Sequence, residues 1–461
     1  MRFATVGAAL SLAVGLAACG GGTASNGAVP VTENAPQLLN RLRSAAPAPN
    51  GAKNKIKHIV IIVQDNRSFD NLFQGYKGAD TQSYGYASDG TKVTLQPVGL
   101  EASWDIDHSS TSFFEACDGQ GSFPGTQCKM DGFDKEWVSC GGRYEPKCPN
   151  SHPQYGYVPR AESQPYFDMA EQYVLGDRMF TSELDASSFT SHQYIIRAQA
   201  SSAVDYPTGQ WGCDGGPNDV VSTITQQRQI QGSEQACFNT ATLGDELDTA
   251  GLSWGYYTAA LNGDGNFWSA YQAIKHIRYG PDWNKDVISP QTKFFDVVSG
   301  GTLPAVSWIT PTCENSDHAG CGSNTGPAWV TSLVNAIGDS QYWNSTAIFI
   351  MWDENGGWYD HVQPPMVDYD GLGLRVPLLI VSPYAKKHYV SHVQYEHGSI
   401  LRFVEDTFGL PRLAASDARA NSPADAFNFK TKPRPFVDIK ASLNKSQILQ
   451  QAPDHRIPDT Q

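Results

Sequence analysis

The stretch that decides the fold is TAIFIMW-DENGG, residues Thr346–Gly357. Its first seven residues are β-formers and nearly all apolar, a pattern that predicts a strand buried on both faces of a parallel sheet. Asp353 and Glu354 stand at the carboxyl end of this strand, the edge at which open α/β sheets bind ligands. Two adjacent carboxylates repel each other unless a cation neutralises them. A solvated turn is the alternative, but the glycines and the further Asp-His pair that follow favour a metal site.

A second buried strand is predicted from Ile56 to Gln64, and Asp65-Asn66 follows it directly. Because parallel strands end at the same edge of a sheet, this pair is expected close to Asp353-Glu354. Asp and Asn offer hard oxygen ligands for a divalent cation, and the Asn amide can also donate to a phosphate. A turn or a helix cap is the alternative reading of the pair.

Strands and helices alternate along the chain. Further buried strands are predicted at residues 305–310 and 376–382, and helical periodicity occurs at 327–337 and 399–408. The alternation predicts an α/β fold, a three-layer α/β/α sandwich with a mostly parallel central sheet. Two polar, cysteine-bearing stretches, 101–160 and 203–238, are predicted to be insertions that form walls around the site.

Composition excludes one class of function. The 461 residues carry 33 Lys and Arg against 47 Asp and Glu, a formal charge of −14. No basic stripe is present to displace counterions from phosphates, so a nucleic-acid partner is excluded. An anionic substrate would therefore be attracted by a local cation rather than by the overall field of the protein.

The amino terminus has the pattern of an export signal. Met1-Arg2 is followed by an apolar stretch, Ala8–Ala18, that is too short to span a bilayer. It ends in Leu-Ala-Ala before Cys19, which resembles the bacterial lipoprotein processing site. We expect an exported lipoprotein, held on a membrane by lipidated Cys19, in the outer membrane, the periplasm or at the cell surface. An ordinary signal peptide is the alternative.

The cysteines favour disulfides. Eight remain besides Cys19, and an even number in the loop-like surroundings of an exported protein favours disulfides over metal ligation. No CxxC pair supports a zinc ribbon. Eight cysteines allow about 105 connectivities. The simplest pairs sequence neighbours: 117–128, 140–148, 213–237 and 313–321.

A serine and several histidines could carry chemistry. Ser188 stands just before an amphipathic helix, where backbone N–H groups can hold an anion and favour an alkoxide. An N-cap serine is the competing interpretation. His108, the Asp317-His318 pair and His397 lie in loops or at element ends, although a lone histidine is more often structural than catalytic.

Six motifs occur in a recognisable order. Together they resemble the bacterial phosphoesterase family of secreted non-specific phospholipases C and respiratory-burst-inhibiting acid phosphatases, over roughly residues 55–413. The motifs are Asp65–Phe73 (DNRSFDNLF), Ser188–Tyr194 (SFTSHQY), Leu303–Trp308 (LPAVSW), Trp352–His361 (WDENGGWYDH), Arg375–Pro377 with Ser382–Tyr384 (RVP, SPY) and His397–Phe403 (HGSILRF).

The resemblance implies an alkaline-phosphatase-like core with one divalent metal. By motif, the metal ligands would be Asp65, Asn66, Asp353 and Glu354, and the nucleophile would be Ser188. Oxygen ligands favour Ca, Mg or Mn, whereas a histidine joining them would favour Zn or Fe.

Other residues are predicted to handle the substrate. His318 or His108 would protonate the leaving oxygen, since an imidazole can do so near neutral pH. Substrate binding is assigned to four further positions: Asn66, Asp317, His361 and His397.

The chain departs from the family pattern at two positions. The family usually has Glu where this chain has Asp65, which shortens a ligand arm by one methylene. Ala186-Ser187 replaces Gly-Pro before Ser188, so Ser187 remains a rival nucleophile.

The function expected from these residues is metal-dependent hydrolysis of phosphate esters or phospholipids, of phospholipase C type, through a phosphoserine. An acid phosphomonoesterase and a non-catalytic lipoprotein that binds a phosphorylated ligand are the alternatives, while a sulfatase lacks its Cys-x-Pro-x-Arg motif. The predicted domains are a signal peptide (1–18), a lipidated tether (19–54), a catalytic domain (55–415) and a surface-wrapping tail (416–461).

Overall fold

The computed structural model describes residues 51–119, 127–209, 212–259 and 269–456. The predicted signal peptide and nearly all of the tether, with Cys19, lie outside the described residues. Eight strands form one central sheet. They are β1 (His58–Gln64), β2 (Val174–Gly176), β3 (Trp254–Tyr257), β4 (Val287–Ile288), β5 (Val306–Ile309), β6 (Thr346–Trp352), β7 (Leu378–Val381) and β8 (Tyr389–Ser391).

The sheet order is β4-β3-β5-β1-β6-β7-β2-β8. Strands β4, β3, β5, β1 and β6 are parallel, whereas β7 is antiparallel to both of its neighbours, β6 and β2. Strand β8 is parallel to β2. The predicted mostly parallel sheet is therefore confirmed, with β7 as the reversed strand.

Five helices have eight or more residues: α1 (Ser110–Cys117), α2 (Arg160–Gln172), α3 (Ser188–Arg197), α4 (Gly326–Gly338) and α5 (His397–Phe408). Shorter helices are Phe69–Phe73, Leu243–Thr249, Lys275–Arg278, Pro281–Asp286, Phe294–Gly300, Ala415–Arg419 and Lys445–Ile448. The predicted helices at 327–337 and 399–408 are α4 and α5, and Gly409 ends α5 with a left-handed φ of 76°.

Helices cover both faces of the sheet. Successive side chains of a strand point to opposite faces, and every residue of β6 is buried. The Phe349 ring lies 5.1 Å from Phe403 of α5, while the Trp352 ring lies 5.1 Å from Tyr166 of α2. Positions 349 and 352 are three residues apart in the strand, so their side chains point to opposite faces of the sheet. Helices α5 and α2 therefore lie on opposite faces, and the predicted three-layer sandwich is confirmed.

Four small sheets lie outside the central sheet in the described part of the chain, and the three-stranded one belongs to the second insertion. Ala203–Val204, Val220–Ile224 and Ile230–Gln235 form a three-stranded sheet, and three further pairs are Tyr84–Tyr86 with Lys92–Thr94, Gln96–Pro97 with Gly156–Tyr157, and Met179–Phe180 with Tyr395–Glu396.

Four disulfides are formed, Cys117–Cys128, Cys140–Cys148, Cys213–Cys237 and Cys313–Cys321. The predicted pairing of neighbours is confirmed. In the described part of the chain, we find no helix with the length and apolarity that a bilayer crossing requires.

The described part of the tail packs on the body of the protein. Trp343 Nε1 donates to the Arg434 carbonyl at 2.7 Å, and the Glu314 amide donates to Asp454 Oδ2 at 2.7 Å. The second contact ties the end of the tail to the disulfide loop Cys313–Cys321, which carries His318.

Candidate active site

Strand pairing places the two acidic pairs side by side. Gln64 of β1 and Trp352 of β6 are partners in the parallel ladder, so the residues that follow them leave the sheet together. The Asp353 amide donates to the Gln64 carbonyl at 3.0 Å, and the Asn66 amide donates to Asp353 Oδ1 at 3.2 Å. The convergence expected from the strand ends is confirmed.

The glycines after Glu354 make this approach possible. Gly356 has a left-handed φ of 60°, and a Cβ at this position would lie 2.6 Å from the Asn66 carbonyl oxygen. Any other residue would push Asn66 away from the strand end. The Gly356 amide also donates to Glu354 Oε2 at 2.7 Å, which fixes that carboxylate.

Asp65, Asp353 and Glu354 form what we term the carboxylate cluster. One oxygen of each lies within 4.8 Å of the others, and all three side chains are buried. Among the described residues, Asp65 Oδ2 and Asp353 Oδ2 have no hydrogen-bond partner. Burial first, and then the charges of Asp353 and Glu354, raise the pKa of Asp65 well above its ordinary value. A divalent cation would remove this conflict.

The Asn66 side chain lies between the carboxylate cluster and two histidines. Its φ of 54° is left-handed, a region that Asn tolerates. One end of its amide lies 2.7 Å from Asp65 Oδ1 and in contact with Glu354 Oε1. The other end lies 3.2 Å from His108 Nε2 and 2.8 Å from His318 Nε2. The two histidines therefore decide which end is the nitrogen.

The backbone sets the tautomer of both histidines. His108 Nδ1 donates to the Ile106 carbonyl at 2.6 Å, and His318 Nδ1 donates to the Ala319 carbonyl. A carbonyl oxygen can only accept, so in each neutral ring Nε2 is an acceptor. The Asn66 NH₂ group then donates to both Nε2 atoms, and its oxygen faces the carboxylates.

Three acidic side chains and an amide oxygen directed at one another fit a hard divalent cation. The reversed amide would satisfy the carboxylates without a cation, but it would require both histidines to be protonated. The residues present thus fit the metal that the resemblance implies, with Asn66 as a ligand. Its use as a separate substrate-binding amide is not supported, because both ends are engaged.

Ser187 and Ser188 have different surroundings. Ser187 is the N-cap of α3, where its Oγ accepts from the Thr190 amide and donates to the Asp205 carbonyl at 2.9 Å. Ser188 is the first residue of the helix and is fully buried. Its Oγ has no hydrogen-bond partner in the described ranges. The hydroxyl of Ser187 is thus engaged in capping the helix, whereas the hydroxyl of Ser188 is available to act as a nucleophile.

His192 connects this helix to the carboxylate cluster. It stands four residues after Ser188, on the same face of α3, and its Nε2 lies 3.6 Å from Asp353 Oδ2. The face of α3 that carries Ser188 is therefore directed towards Asp353. Sequence reasoning did not single out His192, although its spacing of four from Ser188 was the available signal.

His361 was predicted to bind substrate, and its contacts lie in another cluster. Its Nδ1 donates to Asp70 Oδ2 at 2.5 Å and its Nε2 to Asp80 Oδ1 at 3.1 Å. Arg375 donates to both oxygens of Asp360 beside it, at 2.8 and 3.1 Å. We term Asp70, Asp360 and His361 the salt-bridge cluster. Both ring nitrogens of His361 are thus engaged by carboxylates, and its binding of substrate stays a prediction.

Asp317, also predicted to bind substrate, supports the fold. Its Oδ2 accepts from Tyr166 Oη at 2.9 Å and from Trp352 Nε1 at 3.0 Å, and its carbonyl accepts from Arg67 Nε at 2.7 Å. Burial raises its pKa to about 6. These contacts hold the loop that presents the neighbouring His318 to Asn66.

His397 lies behind the end of β6. Its Nε2 donates to the Trp352 carbonyl at 3.2 Å, directly before Asp353, and burial lowers its pKa to about 4. The ring is fully buried, so it supports the strand end. Its binding of substrate stays a prediction.

Comparison with known proteins shows the family to which the chain belongs. The chain matches the Phosphoesterase family over residues 56–411. It is 26% identical to phospholipase C B of Mycobacterium tuberculosis, over 86% of this chain and 82% of that protein. It is 24% identical to non-specific phospholipase C1 of Arabidopsis thaliana, over 86% of this chain and 76% of that one.

A longer relative is the non-hemolytic phospholipase C of Burkholderia pseudomallei, which is 26% identical over 81% of this chain and 58% of its own length. Among solved structures, a protein of the alkaline phosphatase superfamily from Vibrio parahaemolyticus aligns with a TM-score of 0.38 and 11% identity, over 89% of this chain and 77% of that one. The family match covers most of the sequence. The chain therefore belongs to the Phosphoesterase family, and it is a hydrolase of phosphate esters.

Proposed function

We propose that this enzyme is a metal-dependent hydrolase of phospholipase C type that cleaves phosphate esters through a phosphoserine on Ser188. The observation that carries the proposal is the unpartnered, buried Ser188 Oγ on the helix face whose His192 lies 3.6 Å from Asp353 Oδ2. A buried hydroxyl without a partner costs about 1–3 kcal/mol, and a nucleophilic role accounts for that cost.

The metal would be held by Asp65, Asn66, Asp353 and Glu354. When bound, a divalent cation lowers the pKa of a serine hydroxyl and neutralises charge that develops on the phosphoryl oxygens. A set of oxygen ligands favours Ca, Mg or Mn, and the nearby imidazole of His192 keeps Zn in consideration.

The start of α3 supports the attack of Ser188 on phosphorus. The Thr190 amide is bound to Ser187 Oγ, but the Ser188 and Phe189 N–H groups of the first helical turn have no intrahelical acceptor and can hold the phosphoryl oxygens. Ser188 attacks phosphorus as the alkoxide, its proton having gone to solvent, and the Oγ–P bond forms as the bond to the leaving oxygen breaks. Water then hydrolyses the phosphoserine. The same backbone N–H groups stabilise the charge in both steps.

For His108 and His318, the contacts favour a role other than the predicted protonation of the leaving oxygen. In their neutral forms, His108 and His318 hold a proton on Nδ1, which donates to a backbone carbonyl, and they accept from Asn66 at Nε2. Neither ring then has an N–H directed at a leaving oxygen. We propose that both orient the Asn66 amide, so that its oxygen faces the metal.

Ser188→Ala tests the proposal. Turnover of p-nitrophenyl phosphate and of p-nitrophenyl phosphorylcholine should fall by about 1000-fold or more, because the covalent route is lost. The metal content should stay at the wild-type level. Near-normal turnover by this variant would refute the role of Ser188.

Ser187→Ala is the matched control. Loss of the cap should lower stability by about 1 kcal/mol, and turnover should change by less than about threefold. Comparing the two substrates also decides between diester and monoester preference. If the protein binds both esters but turns over neither, with metal present, it is a non-catalytic binding protein.

We also propose export as a lipoprotein anchored through Cys19, because the apolar stretch Ala8–Ala18 ends in small residues directly before that cysteine. Labelling of growing cells with a clickable palmitate should mark the wild type and leave Cys19→Ser unlabelled. Equal labelling of both would refute the anchor.

A further inference from the structure

Glu136 is a buried carboxyl group beside the candidate active site. It lies in the first insertion, directly after the short helical turn Phe133–Lys135, and is only 4% exposed. Its Oε2 has no hydrogen-bond partner in the part of the chain that the structure describes. A buried acid without a partner is costly, and such groups are concentrated at functional sites.

The backbone around Glu136 is held firmly. Gln154 Nε2 donates to the Glu136 carbonyl at 2.8 Å. Phe133 is fully buried, with its ring 5.1 Å from that of Tyr359. The carboxyl group is therefore presented by a fixed segment and has a defined position.

Glu136 lines the same small cavity as His108, whose Nε2 lies 3.6 Å from Glu354 Oε1 of the carboxylate cluster. The cavity is lined by Glu136, His108 and Asn355, and by Ala186, which stands two residues before Ser188. Its volume is about 10 Å³, close to the lower limit for one water molecule. The cavity therefore has room for a single oxygen atom rather than for a whole substituent.

Glu136 is suited to hold a proton. Burial first, and then the charges of Asp107, Glu115, Glu354 and Asp134, raise its pKa well above the ordinary value. His108 and His318 have their N–H groups bound to backbone carbonyls, so they do not supply a proton in their neutral forms. Glu136 is the remaining acid of this cavity.

We propose that Glu136 is the general acid of the reaction and that the cavity receives the leaving oxygen. This inference rests on the proposed function. As the bond between phosphorus and the leaving oxygen breaks, the electron pair stays on that oxygen, which takes the proton of Glu136. In the second step, the hydrolytic water enters from the side the alcohol has left, gives its hydroxide to phosphorus and its proton to the Glu136 carboxylate. The Ser188 Oγ–P bond breaks in the same step, and its electron pair stays on Oγ, which returns to the alkoxide.

Leaving-group dependence tests this assignment. Glu136→Gln should lower kcat/KM by about 100-fold or more for an alkyl phosphate ester, whose alkoxide needs a proton. For the corresponding p-nitrophenyl ester, whose leaving group is stable as an anion, kcat/KM should change by less than about threefold. The difference between the two esters separates an acid from a structural residue.

Two controls accompany the variant. Glu115→Gln removes a nearby carboxylate that does not line the cavity. This variant should hydrolyse both esters with the wild-type kcat/KM. Metal content and thermal midpoint should be the same in the wild type and in Glu136→Gln, because a neutral amide replaces a protonated carboxyl.

Equal slowing of both esters, or no slowing of either, would overturn the assignment. If the variant does not fold, the wild-type enzyme alone still tests the role. A general acid makes kcat/KM depend weakly on the pKa of the leaving group across a series of aryl esters, and a steep dependence would overturn the role. If the wild type hydrolyses no ester, the proposed function itself fails. If the wild type is active and Glu136→Gln depends on the leaving group as the wild type does, only the general-acid role of Glu136 is overturned.

Discussion

The carboxylate cluster and the salt-bridge cluster, both within the described residues, each contain three groups that could bind a metal, and their surroundings differ. In the salt-bridge cluster, every carboxylate oxygen of Asp70 and Asp360 accepts a hydrogen bond, and Arg375 supplies the positive charge. In the carboxylate cluster, Asp65 Oδ2 and Asp353 Oδ2 have no such partner among the described residues. Proximity of acids alone does not make a metal site; the balance of donors and charge does.

The largest expected effect is on metal binding by the carboxylate cluster. Asp353→Asn should remove the metal and lower kcat/KM by about 1000-fold, because Lewis-acid stabilisation is worth several kcal/mol. Metal content by mass spectrometry and turnover of p-nitrophenyl esters are the measurements. Asp360→Asn is the matched control and should retain the metal; loss of metal from both variants would abolish the distinction.

The next effect concerns the charge balance of the salt-bridge cluster. Arg375→Met should lower the free energy of unfolding by about 3–5 kcal/mol, because Asp70 and Asp360 lose their buried counter-charge. Chemical denaturation measures this change. Metal content per folded chain should stay constant. If Arg375→Met were as stable as the wild type, the guanidinium group of Arg375 would not be the charge that balances Asp70 and Asp360.

The pH dependence of stability should differ with and without metal. The folded-state pKa of Asp65 is raised, chiefly by burial, so above its ordinary range the folded protein binds more protons than the unfolded chain. Stability of the chelated protein should therefore fall as pH rises from about 4 towards the raised pKa. The metal-loaded protein should lose less over the same range. Parallel profiles of the thermal midpoint would contradict this account.

The smallest effect separates two histidines. His361→Gln should leave kcat/KM within about threefold of the wild type and lower stability by about 1–3 kcal/mol, through lost bonds to Asp70 and Asp80. His108→Ala should reduce metal affinity by about 10–100-fold, because Asn66 loses the acceptor that orients it. Calorimetric titration with metal measures the second effect. If His108→Ala bound the metal as tightly as the wild type, the role of His108 in orienting Asn66 would be refuted.

Local pattern was enough to predict the frame of the site. Strands β1 and β6 are continuous runs of buried residues, so their ends could be located within a residue or two, and with them Asp65-Asn66 and Asp353-Glu354. The disulfides also follow from sequence neighbours. Strand β7 could not be assigned a direction, because an apolar run has the same pattern in parallel and antiparallel pairs.

Residue types and spacing alone determined the fold class, the carboxyl-terminal edge of the sheet and the acidic pairs that meet there. Only the tertiary structure decided which nearby groups belong to the site. The bond from Ser187 Oγ to the Asp205 carbonyl and the bond from His361 to Asp70 join residues 18 and 291 positions apart, and the cavity beside Glu136 is lined by segments that only folding brings together. Hydrogen bonding and burial depend on these distant partners, and a local pattern of residues does not predict which distant residues they are.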